Sequence, residues 1–456
     1  MVSRLLESYE AVPESVTVSA RLHFLDAIGV AFAASKHGPV ARVTELSSDA
    51  GGASTLLGTG GGASPAVAAL ANGTLMHSLE YDDTHTASVV HGSSVMASTA
   101  LAVGEEVGAT VDEMLRAFTI GWEFFIRIGL ACPGGLQARG FQVTSAAGPF
   151  AAALVAGLLR KSPQDEIANA IGIAGSQAGG TFAFLADGDT VKSAQAGWAA
   201  HSGVLAHDLA RTGVSGPDGV FDGDYGFFRL YAADDPAGER LFALCEDIGE
   251  RWLLTEAAFK LLPCCHYIHP FVEALGELVA EVGGRQQVAS VRCDVPSEVI
   301  PIIAEPWASR QRPARAQDAR WSLPYVLAWL LEHGEVGFGT FVGSVSERVM
   351  ATAESVSFEP WEGSGFPTRF PARVHVTTRA GTRVSRTVDD VLGSAARPIP
   401  PGRVVGKARS NFESAGTAGA EAERLLEALQ HPGSAVADLT DALRAAPQVN
   451  LEREAS

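Results

Sequence analysis

Small apolar residues at helical spacing dominate the chain from about residue 15 to residue 260. Alanine, leucine and glycine make up most of SARLHFLDAIGVAFAAS, SPAVAALANGTLMHSLEY and GPFAAALVAGLLRK. A period of three to four residues predicts α-helices, and helices that are apolar on every side are typical of a buried bundle. This half of the chain is therefore predicted to form closely packed helices with little β-structure.

Beyond residue 265 the pattern changes to short alternating segments. VASVRCDVP, SVSFEP and RVHVTTRAGTRVSRTV alternate apolar and polar residues, the last around an Ala380–Gly381 turn, which predicts strands. PFVEALGELVAEVG and SLPYVLAWLLEHG keep helical spacing. The sequence therefore predicts a smaller α+β segment inserted before a final helix, SAGTAGAEAERLLEALQ, and a frayed tail, VNLEREAS.

The chain of 456 residues carries 34 basic and 52 acidic side chains, a net charge of −18. This length supports two domains, because a single core rarely grows beyond roughly 250–300 residues. The negative charge argues against nucleic acid or an anionic membrane surface as a partner. The five cysteines have no CxxC spacing, and the N-terminus has no apolar signal segment. We therefore expect a cytoplasmic protein with neither a disulfide framework nor a zinc site.

The densest group of polar residues is HSLEYDDTHTASVVHGSS, residues 77–94, which follows an alanine-rich helix. It contains His77, Glu80, Asp82, Asp83, Thr84, His85 and His91. Three interpretations are open: caps at a solvated helix end, a metal site, or an acid/base site without metal. The metal site is disfavoured because the spacing matches neither HExxH nor an EF-hand loop. We favour the acid/base site, because polar groups crowded beside an apolar helix are costly without a use.

Two lysines in apolar surroundings are candidates for binding an anion. Lys192 lies in the helical segment DTVKSAQAGWAAHSG, where it either extends to solvent or directs its charge into a cavity. Lys260 and His266 flank a helix-breaking proline in KLLPCCHYIHP, at the junction of the two halves, where clefts form. We interpret the adjacent Cys264 and Cys265 as buried apolar residues, since neighbouring cysteines cannot easily bind one tetrahedral ion.

The segment GTGGGASP, residues 58–65, fits the GxGxxA pattern of dinucleotide-binding loops. Such a loop needs a preceding strand and a βαβ unit around it. Only the short ASTLL precedes this segment, and helical segments follow. We therefore predict a glycine-rich turn here, and a nicotinamide-dependent oxidoreductase is the weaker enzymatic alternative.

Five segments together resemble the MmgE/PrpD family, which includes 2-methylcitrate dehydratase, cis-aconitate decarboxylase and iminodisuccinate epimerase. In the family's order, they are STLLGTG to VVHGSS, RGFQVTSAAGPFAAAL, GSQAGGTFAFLADGDTVKSAQAGWAAHSG, KLLPCCHYIHP and ARWSLPYVLA. The resemblance implies a mainly α fold with a large all-α domain over residues 1–264, completed by a C-terminal helix over residues 396–456. A smaller α+β lid domain would cover residues 265–395. The resemblance also implies a homodimer, an active site between the domains, and no metal or organic cofactor.

The resemblance assigns site roles to residues of this sequence. They are Glu80, Thr84, His91, Lys192, Lys260, His266 and Tyr325. Three features depart from the family pattern. Gly92 stands where a proline usually follows the histidine, and the loop from Thr84 to His91 is one residue longer than in the decarboxylase. Gln142 occupies the place of a histidine that takes part in the chemistry of many members, and glutamine cannot exchange a proton at neutral pH.

The expected chemistry is removal of a proton next to the carboxylate of a small-molecule substrate. Catalytic roles are expected for His91, Tyr325, His266, Asp83 and Glu80, and substrate contacts for Lys192, Lys260, Thr84 and Gln142. His91 is expected to be the general acid/base, with Asp83 or Glu80 fixing its tautomer. The favoured reaction is dehydration of a hydroxylated di- or tricarboxylate of the 2-methylcitrate kind or from a specialised pathway. Epimerisation, decarboxylation and a non-catalytic binding role are the alternatives.

Overall fold

The computed structural model describes residues 1–47, 51–187 and 189–445. The chain divides into two compact units. The first joins Met1–Phe259 to the described residues from Pro400 onward, and the second is Lys260–Ile399. The boundaries predicted from the sequence fall after residue 264 and after residue 395, a few residues from these. The predicted fold class, mainly α with a smaller α+β part, is confirmed.

The described helices and strands follow in chain order. Up to Phe259 they are α1 (Val2–Tyr9), α2 (Glu14–His37), β1 (Ser54–Thr55), β2 (Gly62–Ala63), α3 (Pro65–His77), α4 (Gly92–Glu106), α5 (Val111–Ala131), α6 (Gly135–Ala138), α7 (Val143–Leu159), α8 (Gln164–Ala174), α9 (Phe184–Asp187), α10 (Val191–Arg211), α11 (Phe227–Ala232) and α12 (Ala237–Leu244). The second unit contains α13 (His269–Glu281), β3 (Val288–Pro296), α14 (Ile300–Ile303), α15 (Trp307–Gln311), α16 (Leu323–His333), α17 (Glu347–Ala353), β4 (Val356–Trp361), β5 (Ala372–Thr378) and β6 (Arg383–Val388). The returning segment forms α18 (Pro401–Ser414), α19 (Glu421–Leu429) and α20 (Val436–Ala445).

The first unit is a helical bundle in which α10 packs against α3 and α7. Two glycines show how closely α3 and α10 approach each other. A Cβ at Gly197 would lie 2.1 Å from the Leu70 carbonyl oxygen, and one at Gly73 would lie 2.9 Å from the Gly197 Cα. Larger residues would force the helices apart, because the interior has no spare volume. This crossing brings Lys192, in the first turn of α10, to His77 at the end of α3.

Helix α2 is buried in the same unit. By length and composition it could cross a membrane, but 78% of its most apolar 18-residue window is buried inside the protein. Burial of this extent is what a core helix shows. The returning helix α18 packs on α2, where the Phe32 and Phe412 rings lie 4.8 Å apart between centroids.

The second unit is built on a four-stranded sheet with the order β4-β3-β5-β6. Strand β3 pairs in parallel with β4 and antiparallel with β5, and β5 pairs antiparallel with β6. The β5–β6 hairpin turns at Gly381, with φ 87°, as the sequence predicted. Alternate residues of β5 are buried, and α13 packs against β5 and β6. All five cysteines of the chain are buried.

Two parts of the first unit refine the sequence predictions. The segment GTGGGASP turns between the antiparallel two-residue strands β1 and β2, with Gly58 and Gly60 at positive φ. It therefore forms the predicted glycine-rich turn, here within a β-hairpin, and not the strand–loop–helix unit of a dinucleotide-binding site. The C-terminal segment contains three described helices instead of one, because Gly416, at φ 84°, follows the end of α18, and Pro432 and Gly433 lie between α19 and α20. The predicted frayed tail, VNLEREAS, lies outside the described residues.

Candidate active site

The polar segment singled out in the sequence is a buried loop between α3 and α4. Helix α3 ends at His77, and α4 begins at Gly92 with His91 as its N-cap residue. Glu80 and Val89 in this loop have φ values of 54° and 55°. A residue with a side chain rarely adopts this left-handed conformation, because it costs free energy. Packing and hydrogen bonds around the loop must therefore hold it.

His91 directs its Nδ1 at the loop itself. This atom lies 3.1 Å from the Asp83 carbonyl oxygen and 3.0 Å from Thr84 Oγ1. A carbonyl oxygen only accepts, so Nδ1 carries the hydrogen and the neutral ring keeps its lone pair on Nε2. The His91 backbone N–H donates to Thr144 Oγ1 at 3.0 Å. The loop thus makes Nε2 the basic atom of His91.

Four buried side chains form a continuous chain of polar contacts, the relay: Asp82, His77, Lys192 and Glu80. His77 Nδ1 lies 2.6 Å from Asp82 Oδ2, and both side chains are fully buried. On the other edge of the ring, Nε2 lies 3.2 Å from Lys192 Nζ. Lys192 in turn forms an ion pair with Glu80. Charges at this depth are tolerated only when they are paired, so the four residues depend on one another.

The relay approaches His91 through Asp82. Asp82 Oδ2 lies 3.9 Å from His91 Nδ1, and the His77 and His91 ring centroids are 5.1 Å apart. A distance of 3.9 Å is too long for a hydrogen bond. A buried carboxylate at that distance still attracts positive charge that develops on the His91 ring during proton transfer.

His77 and Asp82 were noted in the polar segment but were not selected as site residues from the sequence. The neighbouring acids Asp82 and Asp83 are indistinguishable by type, and the left-handed Glu80 disrupts the regular alternation that would assign them to faces. The distance from His77 Nδ1 to Asp82 Oδ2 distinguishes the role of Asp82 from that of Asp83. In the sequence, the signal for Asp82 was its position five residues after His77.

Asp83 has a different role from the one predicted. Its Oδ2 lies 2.7 Å from His23 Nδ1 and accepts a hydrogen bond from Ser93 Oγ at 2.5 Å. Its carboxylate therefore joins α2 to the start of α4, and the Asp83 carbonyl oxygen, not the carboxylate, contacts His91. Glu80 is likewise paired with Lys192. At His91 Nδ1 the structure thus places the Asp83 carbonyl oxygen, and the predicted catalytic roles of the Asp83 and Glu80 carboxylates stay predictions.

Gln142 and Gly92, the two positions substituted relative to the family pattern, both lie beside residues described above. Gln142, the N-cap residue of α7, is buried, and its Nε2 lies 3.0 Å from His77 Nε2. At Gly92, a Cβ would lie 2.4 Å from Trp122 Cε2. The Trp122 indole, which donates to Ser93 Oγ at 3.2 Å, therefore occupies the space that a proline ring would need.

A second buried ion pair holds the loop at Tyr81. Lys407 Nζ, from α18, lies 2.8 Å from Asp26 Oδ1 and donates to the Tyr81 carbonyl oxygen at 2.7 Å. The ammonium also lies 3.8 Å from the centroid of the Tyr81 ring. Burial raises the pKa of Asp26 to about 6 and lowers the pKa of Lys407. Sequence reasoning missed this support, because Lys407 and Tyr81 lie 326 positions apart.

Lys260, His266 and Tyr325 are buried within the second unit. The His266 ring packs edge-on against Phe370 with centroids 5.5 Å apart. The Tyr325 hydroxyl accepts a hydrogen bond from the Ser346 N–H at 3.1 Å, and burial raises the pKa of Tyr325. The catalytic and binding roles of these three residues stay predictions.

Three side chains of the loop region lie close enough to share a cation. One ligand atom from each of His77, Asp82 and His91 lies within 4.8 Å of the others. The 2.6 Å contact between His77 and Asp82 is, however, a hydrogen bond. The Lys192 ammonium also contacts the same imidazole and would repel a metal ion. These residues therefore fit a metal poorly.

The fold and the loop together define a mainly helical protein with acid/base groups buried between two helices. Two family models match it: the MmgE/PrpD N-terminal domain over residues 7–239 and the MmgE/PrpD C-terminal domain over residues 262–431. The chain therefore belongs to the MmgE/PrpD family, as the resemblance predicted.

Similar curated proteins are decarboxylases by name. Cis-aconitate decarboxylase-like protein oryM of Aspergillus oryzae is 32% identical over 289 residues, covering 60% of this chain and 59% of that protein. Cis-aconitate decarboxylase of Aspergillus terreus is 26% identical over 426 residues, covering 88% and 85%. The Homo sapiens enzyme of that name is 25% identical over 362 residues, covering 76% and 72%. These similarities support a lyase-type family.

Proposed function

We propose that the protein is a lyase that removes a proton from the carbon next to a carboxylate. The orientation of His91 supports this most, because the Asp83 carbonyl oxygen holds Nδ1 and leaves Nε2 as the base. Lys192 places a cation in the adjoining relay. Proton removal next to a carboxylate requires such a pair, since negative charge spreads onto the carboxylate as the proton leaves.

The proposed reaction begins with transfer of the substrate proton to His91 Nε2. The electron pair of the broken C–H bond moves toward the carboxylate, and the Lys192 ammonium stabilises the added negative charge. In a dehydration, that pair then forms a carbon–carbon double bond as the hydroxyl group leaves as water with a proton from a general acid, and His91 afterwards releases the proton that it accepted. The balance is the loss of one water, with no oxidant or reductant.

We favour a hydroxylated di- or tricarboxylate as substrate and dehydration as the reaction. Gln142 stands at the place of the family histidine and cannot transfer a proton, so chemistry that depends on that histidine is not available there. Decarboxylation is the second candidate, and the similarity to cis-aconitate decarboxylases favours it. In that reaction, a bond to a carboxylate breaks, carbon dioxide leaves, and the remaining carbon takes up a proton.

Proton NMR of the purified protein in deuterated buffer tests the proposal with citrate, 2-methylcitrate, malate and cis-aconitate. A new olefin signal at unchanged carbon number from one of the hydroxylated acids identifies dehydration, and an acid one carbon shorter identifies decarboxylation. Deuterium uptake without a new product identifies epimerisation. We expect one of the hydroxylated acids to give the olefin.

The variants His91→Ala and His431→Ala make the test specific to the site. His431 is exposed and serves as the matched control. We expect His91→Ala to be slower by about 10²- to 10⁴-fold, the usual worth of a general base, and His431→Ala to match the unaltered protein. Equal rates in both variants would show that His91 is not the base. Binding of an acid with no exchange or turnover would indicate the non-catalytic binding role.

A further inference from the structure

The side-chain amide of Gln142 presents an oxygen that no described residue satisfies. Gln142 is 5% exposed, and its backbone N–H donates to the Gly180 carbonyl oxygen at 3.0 Å. Its Nε2 lies 3.0 Å from His77 Nε2, while its Oε1 is buried and has no hydrogen-bond partner among the described residues. A buried acceptor without a donor is costly in a folded protein.

The relay determines which way this amide points. The Asp82 carboxylate accepts a hydrogen bond from His77 Nδ1, and this nitrogen therefore carries a hydrogen. The Lys192 ammonium, 3.2 Å from His77 Nε2, can only donate. His77 Nε2 must therefore present its lone pair, and Gln142 must turn its NH₂ group, not its oxygen, toward the ring. Exchanging the amide nitrogen and oxygen would place two acceptors face to face.

A second glutamine with a buried amide oxygen adjoins the same backbone segment. Gln195, one turn beyond Lys192 on α10, donates from Nε2 to the Thr181 carbonyl oxygen at 2.9 Å, which orients its amide. Its Oε1 is also buried and lacks a partner among the described residues. A Cβ at Gly180 would lie 3.3 Å from Gln195 Cδ, so Gln142 and Gln195 both adjoin this glycine. The Gln142 amide and the Lys192 ammonium contact the same nitrogen, His77 Nε2, so an acid held at the ammonium would bring its other groups toward Gln142.

We propose that Gln142 Oε1 accepts a hydrogen bond from a hydroxyl group of the substrate and selects hydroxylated carboxylates over acids without such a donor. The inference rests on the proposed function, in which Lys192 binds the carboxylate. Cis-aconitate at neutral pH carries three carboxylates and no donor, so it leaves Oε1 unsatisfied. A hydroxylated acid donates its hydroxyl hydrogen to Gln142 Oε1, and the hydroxyl oxygen keeps a lone pair that a general acid can protonate. Sites that hydrogen-bond a substrate hydroxyl discriminate strongly against analogues without it.

The test measures binding, so that it does not depend on turnover. Isothermal titration calorimetry compares the dissociation constants of citrate and cis-aconitate in a His91→Ala background, where reaction is slowest. Gln142→Met keeps the shape of the side chain and removes the acceptor. We expect it to weaken citrate binding by roughly 10- to 100-fold and to change cis-aconitate binding by less than about threefold.

Two further variants separate a hydrogen bond from a change in packing. Gln142→Asn keeps an amide with both a donor and an acceptor, and it should retain more of the preference for the hydroxylated acid than Gln142→Met does. Gln137→Met is the matched control, because Gln137 Oε1 is another buried oxygen without a partner among the described residues, on α6. It should leave both dissociation constants unchanged.

Equal weakening of both acids by Gln142→Met, or no preference for citrate before the substitution, would overturn the inference. The latter result would mean that a buried water satisfies the oxygen. Failure of the proposed function has a different signature, namely a hydroxyl preference in binding without any proton exchange in the NMR experiment.

Discussion

The two units hold their candidate site residues in different ways. In the first unit, the relay joins Glu80, Lys192, His77 and Asp82 through charged contacts. In the second unit, Tyr325 is anchored by one backbone N–H, and the His266 ring packs edge-on against an aromatic side chain. A network of paired charges is sensitive to the loss of any member, because each deletion leaves a buried charge uncompensated. In the first unit, the loss of one relay residue should therefore disturb the other three, whereas the described contacts of Tyr325 involve only its immediate neighbours.

The largest expected effect comes from removing the cation of the relay. Lys192→Met should reduce the free energy of unfolding by about 3–5 kcal/mol, because it leaves the Glu80 carboxylate buried without its partner. Urea unfolding measures the loss. The double variant Lys192→Met/Glu80→Gln should recover much of the stability but none of the activity. A single variant as stable as the original protein would show that the relay is not cooperative.

Adjacent acids of the loop should separate catalysis from folding. Asp82→Asn weakens the contact to His77 and the field at His91, so kcat should fall by about 10²- to 10³-fold. Asp83→Asn disturbs the contacts to His23 and Ser93 instead, and should cost about 1–3 kcal/mol of stability. Steady-state rates and urea unfolding of both variants make the comparison. Equal losses of kcat would mean that the loop has a single undivided role.

The first unit should also be the acid-sensitive one, through His207. Arg160 donates to His207 Nδ1 at 2.9 Å, and burial lowers the pKa of this histidine to about 3. In the unfolded chain a histidine titrates near ~6.5, so below that pH the unfolded state binds the proton more tightly. The contribution of the neutral His207 to the free energy of unfolding is therefore fully present above about pH 6.5. It falls by up to about 1.4 kcal/mol per pH unit as the pH drops toward 3.

Hydrogen exchange resolved by peptide measures this effect in each unit separately. Peptides of the first unit should lose protection below about pH 6 before those of the second. His207→Gln keeps an acceptor for Arg160 and should reduce the pH dependence, while the exposed control His431→Gln should not. An unchanged pH profile in His207→Gln would assign the acid sensitivity to other groups.

The smallest effect is expected in the second unit. Tyr325→Phe removes one hydroxyl that accepts from the Ser346 N–H, which should cost about 1 kcal/mol of stability. If anchoring is the whole role, kcat should change by less than about threefold. A fall of about 10²-fold or more would instead support the proton-transfer role that the family resemblance implies for Tyr325.

Much of the fold was predictable from residue spacing. The three-to-four-residue period of small residues predicted the bundle, and the alternation in RVHVTTRAGTRVSRTV predicted the β5–β6 hairpin. These patterns repeat over many residues, so errors at single positions do not matter. The three helices of the C-terminal segment were harder to predict, because Gly416, in left-handed backbone, and the pair Pro432 and Gly433 interrupt a pattern that otherwise continues.

The site was predictable as a segment, but not residue by residue. The crowding of residues 77–94 identified the loop, and the family resemblance selected Lys192, which its apolar surroundings alone left open between solvent and a cavity, as the cation that contacts the loop. The choice between Asp82 and Asp83 depends on left-handed backbone at Glu80, which no spacing rule contains. Lys407 could not be found either, because its contact with Tyr81 exists only after α18 packs on α2.

That last contact has a consequence for the order in which the protein is made. A ribosome synthesises Asp26, the loop and the whole of the second unit before it reaches Lys407. A nascent chain released at Ile399 would carry every candidate site residue and still lack the ammonium that binds the Tyr81 carbonyl oxygen. In such a chain, the Asp26 carboxyl group would also lack the Lys407 ammonium with which it forms an ion pair. The loop therefore reaches its final form only after Lys407 has been synthesised, so shorter chains are not expected to release premature activity.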